Sequence, residues 1–179
     1  MDPQPFETEL VLSADGPLIR MVLDAQHRPH GAKAAIVVAA PIERVWTVIR
    51  DVARFPERIP MIHRVHVNGD RVHMDLRFKV SVFSAGFGFV ADMQRVEGRS
   101  LVLQWVSGEP RGIRLEFDLR AAPDAQRTLV FASIQFEIDS LGWLVKYFLK
   151  HHPEIELGVF PGSLLTLLDA VRRSAERLA

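Results

Sequence analysis

The fold of this chain is decided by residues 34–67, which read AAIVVAAPIERVWTVIRDVARFPERIPMIHRVHV. The apolar run from Ile36 to Val38 is typical of a short strand. Pro41 is well placed in the first turn of a helix, because its missing N–H would have no partner there. The helix that follows carries apolar residues three and four positions apart, which predicts one apolar face. These residues are Ile42, Val45, Trp46 and Ile49.

The second half of this stretch breaks the helix and then returns to extended structure. Asp51 and the pair Phe55-Pro56 interrupt the helical pattern, and a second short helical piece ends at Pro60. Extended character resumes at Met61 and continues to Val67. The predicted order is therefore one strand, two short helices and then a long series of strands.

Alternation of apolar and polar residues with a period of two marks the strands that follow. In residues 72–82 the alternation is strict, which predicts a strand with one solvent-facing side. The pair Asn68-Gly69 predicts a tight hairpin turn before it. Such a sheet is expected to be antiparallel and covered on one side. The remaining strands are predicted over residues 87–96, 101–106, 113–119 and 128–138.

Residues 6–23 form a separate unit at the N-terminus. The turn signal Ala14-Asp15-Gly16-Pro17 lies between two stretches of apolar character, so we predict a β-hairpin. This unit precedes the segment that decides the fold. We therefore divide the chain into an N-terminal extension over residues 1–32 and a main domain over residues 33–179. The extension is expected to add strands to the sheet edge or to cover the mouth of a cavity.

The C-terminal part of the chain is predicted to be helical. Asp139-Ser140 is suited to cap a helix that starts at Leu141. His152-Pro153 interrupts this helix, because the residue before a proline disfavours helical geometry. A final helix is predicted to reach Leu178, with a kink or restart at Pro161-Gly162.

Composition narrows the classes of function. A chain of 179 residues suits one domain with a substantial core. The 22 basic and 22 acidic residues give a formal net charge of zero, which argues against nucleic-acid binding. The lack of cysteine excludes disulfides, thiolate metal sites and cysteine nucleophiles. There is no secretory signal pattern and no run of the roughly 20 apolar residues of a membrane helix, so a cytoplasmic location is expected.

The pattern API-xx-VW-xx-I-xD-xxx-FPE-xx-P over residues 40–60 resembles the opening of the START-like, or Bet v 1-like, superfamily (SRPBCC). This superfamily includes the polyketide cyclase/dehydrase and coenzyme Q-binding families. The resemblance covers residues 33–178. It implies an α+β helix-grip fold, in which a curved antiparallel sheet wraps around a long C-terminal helix, here with an N-terminal hairpin extension. It also implies a cavity between sheet and helix that usually receives an apolar ligand.

Strand residues on the inward faces are the candidates for lining this cavity. Most of them must also serve as core, because cavity walls and cores are built from the same apolar side chains. A few polar groups in such a wall typically orient the ligand, which is the role expected of His63 and Ser133. The nominated ligand-binding residues are His63, Met74, Phe78, Phe89, Trp105, Phe117, Phe131, Ser133 and Phe148.

Some of these assignments depend on which way a strand faces. The period of two places His63 on the face of Val65 and Val67, which is expected to be the concave one. The last strand is apolar on both faces, so the sequence leaves open whether the face of Phe131 and Ser133 looks inward. Phe148 is assigned to the helix beside the ligand entrance.

Catalytic motifs are sparse. There is no nucleophile elbow, no phosphate-binding loop and no H-E-x-x-H pair. Gly86-Phe87-Gly88 lacks the strand-to-helix context of a dinucleotide fingerprint. His66 and His73 fall on the solvent-facing side, and although imidazoles suit zinc or copper, no third ligand is placed to complete a site. We therefore predict no catalytic residue, no metal and no cofactor.

Three functions follow from this set of features, because the fold hosts binding proteins and enzymes alike. The favoured one is non-enzymatic binding or transport of an apolar small molecule, such as a lipid, isoprenoid, quinone or polyketide, with transient membrane contact allowed. The second is a polyketide cyclase or aromatase, with His63, Arg77 or Ser133 moving protons. The third is a protein-interaction or regulatory module. The oligomeric state is left open.

Overall fold

The computed structural model describes residues 6–80, 83–142, 145, 147, 149, 151 and 153–177. It contains one eight-stranded sheet whose neighbouring strands are all antiparallel. The strands are β1 (Leu18–Leu23), β2 (Pro29–Val38), β3 (Ile62–Asn68), β4 (Arg71–Val80), β5 (Phe83–Val96), β6 (Ser100–Gly108), β7 (Arg114–Ala121) and β8 (Thr128–Gln135). The helices are α1 (Thr8–Ser13), α2 (Ile42–Arg50), α3 (Phe55–Arg58) and α4 (Pro153–Arg177), with 3₁₀ turns at Val52–Arg54 and Ile138–Ser140.

The strand order across the sheet is β1-β2-β8-β7-β6-β5-β4-β3, so β1 and β3 form its two edges. α2 and α3 follow β2 in the chain, as predicted, and α4 packs along β2 and β8. The predicted hairpin between β3 and β4 is confirmed, with Gly69 in the left-handed region at φ +61°. The predicted helix-grip architecture, an antiparallel sheet with a long C-terminal helix, is therefore confirmed. No described helix is long and apolar enough to span a membrane.

α2 is held by its apolar face and by one polar contact. Val45, Trp46 and Ile49 are buried, as their spacing predicts. The indole N–H of Trp46 donates to Glu97 Oε1 at 2.7 Å, and Arg50 pairs with the same carboxylate at 3.2 Å. Glu97 lies in the turn between β5 and β6, so these contacts fasten α2 to that turn.

The two faces of the sheet bury separate apolar clusters. The main cluster lies on the inner face, beneath α4, where Ile36 of β2 joins Leu164 and Leu168 of the helix. A smaller cluster lies on the outer face and consists of Val11, Ala35, Ala122, Leu129 and Phe131. Both faces of β2 and β8 are therefore buried, which explains why these strands are apolar on both sides.

The prediction of an N-terminal hairpin is wrong. Thr8–Ser13 is helical, and β1 forms its hairpin with β2 instead. Val11 is 1% exposed against the outer face, so burial of this side chain outweighs the partial alternation that indicated a strand. β2 begins at Pro29, so the proposed boundary between residues 32 and 33 falls inside a strand of the common sheet.

The turn between β1 and β2 is closed by Asp24. Its carboxylate accepts hydrogen bonds from the backbone N–H groups of Arg28 and Gln26, at 2.9 and 2.8 Å. The pKa of Asp24 lies below its ordinary value, because the backbone N–H of Arg28 and, to a smaller extent, that of Gln26 donate hydrogen bonds to the carboxylate. The same side chain also pairs with the Arg28 guanidinium.

Of the kink or restart predicted at Pro161-Gly162, the restart is wrong, because α4 continues through Pro161 from Pro153 to Arg177. A proline inside a helix removes one backbone hydrogen bond and costs about 3 kcal/mol. The buried apolar residues before and after it offset this cost, since they anchor both halves of the helix to the same core. They are Phe160, Leu164, Leu168, Val171 and Ala175. The other predicted break includes His152, which lies outside the described residues.

Docking of α1 is testable by a matched pair of truncations. Val11→Ala is expected to lower the free energy of unfolding by about 2 kcal/mol, because it leaves a void between α1 and the outer face. Leu10→Ala on the same helix removes a half-exposed side chain and should change it by less than about 0.5 kcal/mol. Urea unfolding followed by circular dichroism measures both. Equally small effects would show that α1 contributes nothing to the packed core.

Candidate functional site

The candidate site is the inner face of strands β4 to β8. Cross-strand register sets large apolar side chains opposite one another on this face, with Met74 opposite Phe89, and Leu101 opposite Phe117. All four belong to the main cluster. Thr128 is the one hydroxyl at an inward strand position of the described sheet, and its Oγ1 donates to the Ala40 carbonyl at 2.7 Å. The surface is therefore apolar, and this hydroxyl is already paired within the protein.

Burial decreases in the same direction along each of these strands. On β4 the exposed fraction rises from 0% at Val72 to 9% at Leu76, and on β7 it rises from 0% at Phe117 to 8% at Leu115. On β8 Val130 is fully buried, whereas Ile134 is partly exposed. Leu76 pairs with Phe87 and Leu115 pairs with Ile134, so the more exposed positions lie toward the same end of their strands, although the register places them in different rows. We call this group of positions the open end; it consists of Leu76, Phe87, Trp105, Leu115 and Ile134.

Trp105 occupies the middle of the open end. Its side chain is partly exposed and packs against the main cluster, and its indole N–H donates to the Gly108 carbonyl at 3.1 Å. Gly108 has φ +91°, and a Cβ atom there would collide with the backbone of Gly88 and Phe89. Glycine is thus required at this position. The carbonyl that accepts the Trp105 indole N–H therefore belongs to a residue at which β5 and β6 approach each other too closely for a side chain.

A hydrogen-bonded latch borders the open end. The Ser140 hydroxyl donates to the Glu137 carbonyl at 2.6 Å and accepts the N–H of Arg111 at 2.7 Å. The Arg111 carbonyl accepts the Glu137 N–H at 2.9 Å, and the two side chains form an ion pair at 3.4 Å. These contacts tie the β6–β7 loop to the 3₁₀ turn Ile138–Ser140. Ser140 was predicted to cap a helix, but the N–H that its hydroxyl accepts is that of Arg111, which lies 29 positions earlier in the sequence.

The predicted site residues Met74, Phe89, Trp105 and Phe117 all lie on the inner face. Phe117 is fully buried at the closed end, whereas Trp105 is at the open end. Phe148 and the side chain of Phe78 lie outside the described part of the chain. The structure adds Leu76 and Leu115, which were not among the nominated ligand-binding residues, to the open end.

The placement of Phe131 and Ser133 on the cavity side is wrong. Phe131 lies opposite Ala35 on the outer face, within the cluster under α1, and the Arg120 guanidinium stacks 4.9 Å from its ring centre. Ser133 is opposite Lys33 on the same outer face. Val130 and Ala132 point inward instead, and their membership of the main cluster settles which face of β8 is concave.

The inward placement of His63 is wrong as well. Ile62 pairs with Leu76 and Arg64 pairs with Asp75, so His63 is the extra residue of a β-bulge. The bulge interrupts the period of two on which the prediction depended. His63 is exposed.

The outer face of β3 and β4 carries two more of the histidines, His66 and His73. The rings of His66 and His73 lie 6.3 Å apart on exposed, directly opposed positions. Across the described part of the chain, no group of three or more His, Asp or Glu side chains is arranged to hold a metal ion. Arg77, one of the suggested proton-transfer residues, is exposed on the neighbouring part of β4.

The latch gives a second testable consequence. Ser140→Ala is expected to lower the free energy of unfolding by about 1 kcal/mol, because the N–H of Arg111 loses its partner in a partly buried setting. Ser133→Ala is the matched control on the outer face and should shift it by less than about 0.5 kcal/mol. Hydrogen exchange at the Arg111 amide, which should accelerate in the Ser140 variant, separates loss of the latch from general destabilisation. An unchanged exchange rate would contradict this role.

The middle part of this chain matches a known protein family. Residues 38–151 match the model of a family described as polyketide cyclase/dehydrase and lipid transport. The curated proteins contain no match to this sequence.

Solved structures resemble most of this chain. The Zhui aromatase/cyclase from Streptomyces sp. R1128 is 19% identical, with a TM-score of 0.62 over 89% of this chain and 95% of that one. A START superfamily protein from Mycobacterium smegmatis is 16% identical, with a TM-score of 0.61 over 84% and 99%. A protein from Thermus thermophilus is 12% identical, with a TM-score of 0.64 over 82% and 97%. At these identities the likeness shows a common fold. Because the family model matches more than half of the chain, this protein belongs to the polyketide cyclase/dehydrase and lipid transport family.

Proposed function

We propose that this protein binds or transports an apolar small molecule on the inner surface of its sheet. The observation that carries the proposal is an apolar inner surface whose side chains are more exposed at one end of the strands than at the other. Ligand sites are typically concave and mostly apolar, with few polar groups. Transport of lipids is one of the activities named in the description of the family.

The chemistry of the wall favours a hydrocarbon-like ligand. The hydroxyl of Thr128 and the indole N–H of Trp105 are both bonded within the protein. A ligand with buried hydroxyl or carbonyl groups would lose its hydrogen bonds to water without replacement, which costs about 1–3 kcal/mol for each group. Each Å² of apolar ligand surface removed from water contributes about 25 cal/mol. An acyl or isoprenoid chain therefore fits this wall better than an oxygen-rich polyketide.

Binding is favoured over catalysis by the positions of the suggested proton-transfer residues. His63 and Arg77 are exposed, and Ser133 is on the outer face. General acid–base catalysis requires such a group within hydrogen-bond reach of the bound substrate. The similar Streptomyces structure is an aromatase/cyclase, but the likeness supports only the fold. No described side chain therefore supports a cyclase mechanism.

Native mass spectrometry of the freshly purified protein is the direct test. We expect an added mass that disappears on denaturation and that solvent extraction identifies as an acyl or isoprenoid compound. cis-Parinaric acid, a fluorescent polyene fatty acid, serves as the probe when the protein is purified empty. The proposal fails when no added mass is present and the probe shows no saturable binding.

Two aromatic truncations distinguish the binding surface from the core. Trp105→Ala removes a wall residue at the open end and is expected to weaken binding of cis-parinaric acid by about tenfold, equivalent to about 1.4 kcal/mol. The stability of the fold should fall less than in Phe117→Ala, because Trp105 is partly exposed whereas Phe117 is fully buried. Phe117→Ala removes a fully buried ring at the closed end and is expected to lower the free energy of unfolding by about 3–5 kcal/mol. Urea unfolding and fluorescence titration of both variants measure these effects. Equal affinity in Trp105→Ala and the unaltered protein would place the ligand elsewhere.

A further inference from the structure

The two edges of the sheet differ in how they are protected against pairing with another strand. β3 exposes the polar side chains His63, Arg64, His66 and Asn68 and contains the bulge at His63. Charged side chains and bulges are common devices that prevent edge-to-edge association. The β3 edge is therefore blocked by its own sequence.

The β1 edge carries little charge and has no bulged residue of its own. Its sequence LIRMVL contains one charged residue, Arg20, and Leu23 is 50% exposed. Its pairing with β2 is continuous along β1, with the extra residue of the single irregularity, His30, on β2. Within the described residues no strand lies beyond β1, so its outer row of N–H and C=O groups is open to a further strand. An apolar, unprotected edge is a template for strand addition.

We propose that a second copy of this chain occupies the β1 edge, with the two β1 strands antiparallel about a two-fold axis. Most soluble oligomers are symmetric homo-oligomers, and a two-fold interface uses the same patch on both copies. Directly opposed residues must point to the same face of the joined sheet. The longest overlaps of β1 with itself therefore place the axis on Arg20 or on Met21.

The charges select between these two registers. An axis on Arg20 sets two guanidinium groups directly opposite each other, which is destabilising. An axis on Met21 sets Met21 opposite Met21 and Ile19 opposite Leu23 of the second copy. Ile19, Met21 and Leu23 share the inner face, as the pairing of Ile19 with Ala34 shows, so this row is apolar throughout. The self-complementary register is the one centred on Met21.

The outer row of this register is also compatible. Arg20 lies opposite Val22 of the second copy, and Asp24 of that copy is on the diagonal, within reach of a long side chain. Asp24 is held in place by the turn that it closes. The interface therefore contains two pairs of opposite charges, Arg20 of each copy with Asp24 of the other, one pair on each side of the axis.

A groove beside β1 has the shape to receive the exposed leucine. It has a volume of about 370 Å³ and is lined by Pro17, Ile36, Leu165, Thr166, Leu168, Asp169 and Arg172. Ile36 and Leu168 belong to the main cluster, so the groove opens on the inner face, as Leu23 does. The register centred on Met21 brings Leu23 of the second copy opposite Ile19, next to Pro17. Burial of two exposed Leu23 side chains adds apolar area to the strand pairing.

Light scattering coupled to size-exclusion chromatography tests this dimer with charge variants at the axis. The unaltered protein is expected to be a dimer, whereas Met21→Lys and Met21→Glu should each raise the dimer dissociation constant by about 100-fold, because like charges face each other across the axis. An equimolar mixture of the two variants should restore the dimer, since lysine then faces glutamate. His66→Lys on the β3 edge is the control and should remain dimeric.

Several outcomes would overturn the proposal. They are a monomer at the highest soluble concentration of the unaltered protein, a Met21→Lys variant that stays dimeric, and a mixture of charge variants that stays monomeric. Circular dichroism confirms that each variant is folded. Leu23→Lys changes a half-exposed side chain, so it dissociates the dimer without disturbing the core and replaces the Met21 variants where these do not fold.

Discussion

The close approach of α4 to one side of the sheet is the constraint on which the rest of the structure depends. The inner face carries small side chains where the helix packs, Ala32 and Ala34 on β2 and Ala132 on β8. Helix and sheet surfaces come together only as closely as the side chains between them allow. The strands farther from the helix carry large residues such as Met74 and Phe89 instead. Because the inner side chains are small on β2 and β8 and larger on the other strands, the helix packs over β2 and β8 and leaves an apolar wall on β4 to β7.

The apolar wall and the latch have complementary roles in this arrangement. The wall offers burial without free hydrogen-bonding groups, which suits a ligand with little polarity. The latch at Ser140 fixes the β6–β7 loop beside the open end, so the border of that opening is held by partly buried hydrogen bonds. Rigid surroundings reduce the entropy lost when a ligand binds. The fold thus combines an apolar wall, whose described residues have no free hydrogen-bonding groups, with an entrance whose border is fixed in position.

The N-terminal elements extend the sheet beyond the part that matches the family. β1 and α1 precede residue 38, where the family match begins. β1 adds an unprotected apolar edge, and α1 covers the outer face of β2 and β8. Features built on these elements, including the proposed pairing of two copies through β1, therefore lie outside the residues that the family model matches.

Local sequence patterns determined the element types and the inward side of most strands. Alternation with a period of two identified Met74 and Phe117 as inward, because a strand with one wet face shows its orientation directly. Phe89 and Trp105 were nominated from the apolar positions of their strands, where the alternation is less regular. The same logic fails on β8, since α1 buries the outer face and both sides become apolar.

Tertiary structure decided the remaining features, each for a physical reason. A β-bulge reversed the expected orientation of His63, because one extra residue shifts every side chain before it. Burial of Val11 on the outer face made a helix of residues that alternate like a strand. The bond between Ser140 and Arg111 joins residues 29 positions apart in the sequence. Patterns within a strand or a helix record which side is wet, whereas contacts between distant segments exist only once the chain has folded.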